Sequence, residues 1–270
     1  MRAAHLTIGM SKFLEVDGIT KKYRSARGSP VTALEKVSFD VDRGEFLAIV
    51  GPSGCGKSTL LRIIAGLRMA TQGAVHLEGV RVAAPVRAGI VFQTPSLLPW
   101  RSTLDNVLLS VDLAGLPISR YRQRAMELLE LVSLARFAHQ FPSELSGGMQ
   151  QRVALCRALI HDPDLLLMDE PFGALDAMTR DEMNFELLRI WGATEERKTI
   201  LFVTHSIAEA VFLADRILVM SARPGRVEEI LASVLSRPRT LEMRGLADFG
   251  AQVVGIYARL HAARGPTYVD

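Results

Sequence analysis

The chain has 270 residues, 49% of them hydrophobic and 23% charged, with a net charge of +3. That is an ordinary globular mixture, long enough for one large domain carrying an appended subdomain. The charge is too small to argue for nucleic acid, and no apolar run reaches the ~18 residues of a membrane span. Residues 1–10 lack the apolar core and cleavage site of a secretion signal. Cys55 and Cys156 have no metal-ligand spacing, as expected of a reducing cytosol.

In chain order, residues 13–16 and 37–41 alternate as short strands, and 45–50 reads as a continuous apolar strand. This mixture predicts an antiparallel edge layer meeting a buried parallel sheet. Gly51, Pro52, Ser53, Gly54, Cys55, Gly56, Lys57 and Ser58 follow at once, and helix formers run on from Thr59. Gly, any four residues, Gly-Lys-Ser between a strand and a helix is a phosphate-binding loop. Its glycines let successive N–H groups point at phosphate oxygens, and the helix dipole adds to them. Lys57 would reach the β- and γ-phosphates, and the Ser58 hydroxyl would ligate Mg²⁺. Cys55, beside a helix N-terminus, is expected to favour its thiolate, so that alkylation blocks nucleotide binding. The helix over 60–67 ends near Gly66, and strands follow at 75–77 and 89–92.

Strand character then vanishes between about 94 and 141, and Ala125, Leu128, Leu129 and Val132 show helical spacing. We read about 94–160 as an inserted helical subdomain, with Arg120, Arg122 and Arg124 on a solvated face. Within it Leu97, Leu98 and Trp100 form an exposed-looking apolar set, kept from plain helix by Pro95 and Pro99. An exposed apolar knob of this kind marks a surface where a partner would dock. Ser146, Gly147 and Gly148 open a helix over 151–159, which makes a second anion-binding helix terminus. A simple kinase or GTPase has no use for it.

Strands return at 165–168, 200–203 and 216–220, with helices around 180–190 and 207–214. Strands alternating with helices predict a doubly wound parallel core. The first of these strands runs into Asp169 and Glu170. Carboxylates at a strand end project into the crevice where ligands bind. Asp169 would hold the Mg²⁺ shell and Glu170 would polarise the attacking water. Residues 241–270 form a more polar tail with a helix near 247–262, and Cys156 is expected to be a buried small apolar residue.

Taken together, the phosphate loop, Leu145 to Gln150 and Asp169-Glu170 resemble the motifs of ATP-binding-cassette (ABC) transporter ATPases. Met149 stands where glutamine is more usual. The resemblance implies an α/β fold: a P-loop NTPase core with a mostly parallel sheet, an antiparallel β edge layer and an inserted helical subdomain, all within 13–240. It also implies that Tyr23 stacks on adenine and that Gly51 to Thr59 bind ATP. Gln93 would touch Mg²⁺ and the lytic water, and His205 the γ-phosphate. Glu170, His205, Lys57 and Gln93 would then carry catalysis, with Ser58, Gln93 and Asp169 at the metal. Ser146, Gly147, Gly148 and Asp176 would reach ATP held by the opposite subunit of a head-to-tail homodimer.

Residues 91–100, 171–180, 209–215 and 221–227 resemble the nitrate/sulfonate/taurine importers of bacteria, although Ser206 stands where that group often has aspartate. That implies separate membrane permease subunits, an extracytoplasmic solute-binding protein, and a peripheral place on the cytoplasmic face of the inner membrane, with no nucleic acid. The alternative is a soluble ABC-type mechanochemical ATPase acting on nucleic acid or ribosomes. Such proteins usually carry long coiled coils or two fused cassettes, and neither is present in this sequence.

Overall fold

The computed structural model describes residues 12–24, 28, 30–173, 175–192 and 197–262. Its first layer is an antiparallel sheet in the order β2-β1-β4-β5, built from β1 (Leu14–Arg24), β2 (Pro30–Val41), β4 (Gln72–Leu77) and β5 (Val80–Arg81). The second sheet has the order β10-β9-β3-β8-β7-β6. It contains β3 (Phe46–Val50), β6 (Gly89–Val91), β7 (Leu165–Asp169), β8 (Thr199–Val203), β9 (Arg216–Met220) and β10 (Val227–Ala232). All neighbours are parallel except β10, which runs antiparallel along one edge.

β3, β7 and β8 are buried at every position because both faces of this sheet are covered. Alternation within β3 assigns the faces. Leu47 and Ile49 join the cluster formed with the antiparallel layer and α1 (Lys57–Ile64), while Phe46, Ala48 and Val50 join the helical side. On that side lie α2 (Thr103–Val107), α3 (Leu109–Leu113), α4 (Ile118–Leu131), α5 (Gly147–Leu159), α6 (Ala177–Gly192) and α7 (Ile207–Leu213). Phe46 packs edge-on to Trp191 at 6.0 Å and tilted against Phe202 at 5.9 Å. The last helix, α8 (Ala247–Ala262), buries Phe249 and Ile256 against α7 and β9.

The α/β class, the mostly parallel sheet and the antiparallel layer agree with the sequence reading. Several bounds do not. The expected strands 13–16 and 37–41 are the ends of much longer strands whose register shifts at Val16/Ile19, Ile19/Lys21 and Lys21/Lys22. Bulges break the period-2 pattern that reveals a strand. β10 was unforeseen because an edge strand need not bury a face, and its Glu228-Glu229 pair suits a solvent-facing edge. The short helices α2 and α3 were missed too, although Ser102 caps the first by accepting from Asp105 N. Arg120, Arg122 and Arg124 are exposed, and Cys156 is fully buried with its thiol pushed up to about 12 by desolvation.

Candidate active site

Parallel strands emit their C-terminal loops on one edge, and the strand order β3-β8-β7-β6 fixes the sequence of groups along it. β3 leads into residues 51–56, β8 into Thr204 and His205, β7 into Glu170, and β6 into Gln93. Residues far apart in sequence thereby become neighbours.

The loop after β3 curls through left-handed glycines at Gly54 and Gly56, with φ of 73° and 109°. Gly56 is doubly constrained, because a Cβ there would sit 2.7 Å from Leu34 Cδ2. Lys57 is buried, and its ammonium donates to the carbonyls of Gly51 at 2.8 Å and Pro52 at 3.1 Å. The loop thus holds its own cation in place. Tyr23 reaches it from β1, its hydroxyl 3.2 Å from Thr59 Oγ1, with the Arg68 guanidinium 5.3 Å from the centre of its ring.

Cys55 overturns one expectation. Its thiol is buried, and desolvation raises its pKa despite the nearby Lys57 charge, so the neutral thiol is favoured. The helix-terminus effect that lowers a cysteine pKa loses to burial here.

At the end of β7, Ser58 Oγ donates to Asp169 Oδ1 at 2.8 Å. Burial pushes the Asp169 carboxyl upward, with the Ser58 hydrogen bond working against it. A divalent cation beside this pair would stabilise the carboxylate. The donor set suits Mg²⁺: one hydroxyl and one carboxylate oxygen, with room for phosphate oxygens and water to complete six. No cluster of three or more His, Cys, Asp or Glu with metal-site geometry occurs among the described residues.

Glu170 adopts φ of 47°, unusual for a residue with a side chain, while its N–H donates to Val203 O at 2.9 Å. This turns its carboxylate back over the sheet edge. Glu170 Oε2 accepts from Gln93 Nε2 at 3.4 Å and lies 3.3 Å from His205 Nδ1. An imidazole and an amide from two other strand ends thus converge on one oxygen of the Glu170 carboxylate.

Asp176 caps the helix entering from the following loop. Its two oxygens accept from Thr179 N at 3.0 Å and Thr179 Oγ1 at 2.7 Å, which holds the carboxyl below its usual range. Ser146 caps α5, its Oγ accepting from Met149 N at 3.3 Å. Ser146 and Gly147 are exposed, and a Cβ on Gly148 would meet Thr179 Cγ2 at 3.0 Å. Asp176, Thr179 and residues 146–148 therefore share one neighbourhood. No hydrogen bond among the described residues joins 146–148 to the phosphate loop.

The exposed apolar set is smaller than expected. Trp100 is 71% exposed. Leu97 packs against the helical-side core, and the Leu98 backbone is tied at both N–H and carbonyl to the buried Asn106 amide. Near it a groove of about 690 Å³ runs between the sheet edge and the helical subdomain, lined by Ile90, Ser110, Leu116, Tyr121 and His161.

Three further residues were not singled out from the sequence. Arg223 donates to the Gly54 carbonyl from Nε at 3.3 Å and Nη2 at 3.1 Å, clasping the phosphate loop. Gln151 Nε2 donates to Phe92 O at 3.1 Å, and Arg157 to the carbonyls of Ser96 at 3.0 Å and Pro95 at 2.6 Å. Both fasten α5 to the segment around Gln93. An arginine or glutamine acting on backbone carbonyls leaves no sequence pattern.

Residues 34–173 match the ABC transporter family. The chain is 51% identical over 215 residues to a taurine import ATP-binding protein of Rhizobium johnstonii, covering 79% of this chain and 81% of the relative. It is 46% identical to a nitrate import ATP-binding protein of Synechococcus elongatus, over 85% of this chain and 84% of that protein. Among solved structures it superposes on a dimeric ATP-binding cassette in a post-hydrolysis state bound to ADP and phosphate. The TM-score is 0.73 and the identity 33%, covering 83% of this chain and 100% of that one.

Proposed function

The chain belongs to the ABC transporter family as one of its ATP-hydrolysing subunits, and from that premise we propose that it energises a bacterial importer. The single observation that carries the mechanism is the convergence of Gln93, Glu170 and His205 at one sheet edge beside the Ser58–Asp169 pair. In this reading the N–H groups of residues 51–59 and the Lys57 ammonium bind the triphosphate. Ser58 and Asp169, together with Gln93, would hold Mg²⁺, whose charge would neutralise the phosphate oxygens. Glu170 takes a proton from the attacking water. Gln93 orients that water, and His205 holds the γ-phosphate end of the site. Tyr23 packs on the base.

Ser146, Gly147, Gly148 and Asp176 complete the site of a second copy. Their shared exposed neighbourhood and the dimeric form of the solved cassette support this reading. Trp100 and the nearby groove would receive a membrane permease subunit, which in turn meets an extracytoplasmic solute-binding protein. That places the chain peripherally on the cytoplasmic face of the inner membrane. No helix among the described residues is long and apolar enough to cross it. The relatives' names favour a small solute of the taurine or nitrate kind.

The test is Glu170→Gln. It should bind ATP normally, lose roughly a hundredfold or more in kcat, and accumulate as an ATP-bound dimer on size exclusion. Unimpaired turnover would remove Glu170 as the base.

A further inference from the structure

Beside the catalytic edge a buried carboxylate faces a half-buried guanidinium, a pair that the chemistry above does not use. Glu209, on α7, is buried, and its Oε2 accepts from Thr204 Oγ1 at 2.5 Å. The same Thr204 oxygen accepts from Ser206 N at 3.0 Å, and Ser206 Oγ accepts from Glu209 N at 3.3 Å. These bonds close around His205 and fix the turn that carries it. Among the described residues the other carboxylate oxygen of Glu209, Oε1, has no hydrogen-bond partner, and it lies 3.7 Å from Arg180 Nε. That guanidinium donates from Nη2 to Leu175 O at 2.8 Å and from Nε to Phe172 O at 3.3 Å. It therefore holds the turn that leads from Glu170 to Asp176. The two turns also touch directly, since a Cβ on Gly173 would lie 3.2 Å from His205 Cε1.

An unpaired buried carboxylate oxygen is costly, and a guanidinium within reach offsets that cost only while both turns keep this spacing. Displacing either turn strains the pair. We propose that Glu209 and Arg180 are positioning residues for hydrolysis: their contact locks the turn bearing His205 to the turn bearing Asp176, so that the two shift as one. The γ-phosphate side of one site and the loop facing the second copy are thereby mechanically joined. The proposal rests on reading Glu170 and His205 as hydrolytic residues.

The experiment compares kcat and KM for MgATP in the full chain, with thermal melting in the absence of nucleotide. Glu209→Gln can still accept from Thr204 but loses its charge toward Arg180. It is expected to lower kcat about tenfold, with KM and the melting midpoint near wild type. Arg180→Lys keeps the charge but cannot fork to both carbonyls, and should show the same split. It carries the test if Glu209→Gln folds poorly. In a His205→Ala background, Glu209→Gln should cost nothing more, because it acts through that turn. A wild-type kcat in both single variants overturns the proposal, as does an equal loss from Glu209→Gln with and without His205. His205→Ala turning over at the wild-type rate would instead overturn the hydrolytic reading, and the proposal with it.

Discussion

The phosphate loop and the Ser146–Gly148 corner are both glycine-rich helix entrances, yet they stand in opposite conditions. The first is finished within one chain. Its cation is buried and bonded to its own carbonyls, Arg223 clasps it from behind, and Tyr23 reaches over it. The second is exposed, with a capping serine and open space around Gly147. The first half is internally satisfied, and in the function proposed above the second gains its purpose from another copy of the chain. Binding and assembly should therefore respond differently to damage.

Lys57→Ala should have the largest effect. It removes a charge-assisted phosphate contact and leaves two loop carbonyls unpaired, so isothermal titration should find ATP affinity reduced by two orders of magnitude or more, on the order of 3 kcal/mol. Gly147→Asp should break the comparison from the other side. A Cβ at this position meets nothing within 4 Å, and a carboxylate sits favourably at a helix N-terminus, so folding is spared. Nucleotide binding to the single subunit should stay near wild type, while the ATP-driven dimer is lost and kcat falls about a hundredfold. If Gly147→Asp weakened binding to the monomer as much as Lys57→Ala does, the division into a complete and an incomplete half would fail.

Trp100→Ala should leave the isolated subunit's ATPase rate unchanged and reduce co-purification with the membrane partner several-fold, since an exposed aromatic contributes most where a partner buries it. Undiminished co-purification would move the grip elsewhere. The smallest effect concerns Cys55. Because burial raises its pKa, less thiolate is present at any given pH than for a free thiol, and iodoacetamide should react more slowly with it. The rate should rise with pH, and bound ATP should slow it further. Mass spectrometry of the alkylated peptide measures both.

What could be read from the sequence was what lies contiguous along it. The phosphate loop occupies eight consecutive positions between a strand and a helix, and Asp169-Glu170 directly ends an apolar run. The fully buried strands were visible for the same reason. Residues that act by reaching a distant backbone were not visible: Arg223 on Gly54, Gln151 on Phe92, and Arg157 on Pro95. Nothing local marks an arginine that will meet a carbonyl after folding. Leu97 and Leu98 erred the other way. They were read as part of an exposed-looking apolar set, while Asn106 and the helical core draw them inward. Cys55 failed on a competition of magnitudes, in which desolvation outweighs a nearby lysine.

The turn after β9 joins three parts of the molecule at once. Gly225 exchanges backbone hydrogen bonds with Ala33 and Glu35 of β2 and packs against the Cys55 carbonyl, while Arg223 holds Gly54. The layer that carries Tyr23 is consequently stitched to the loop that cradles phosphate. Were Tyr23 to pack on the base as proposed, this turn would hold the aromatic and phosphate ends of a bound nucleotide at a fixed spacing.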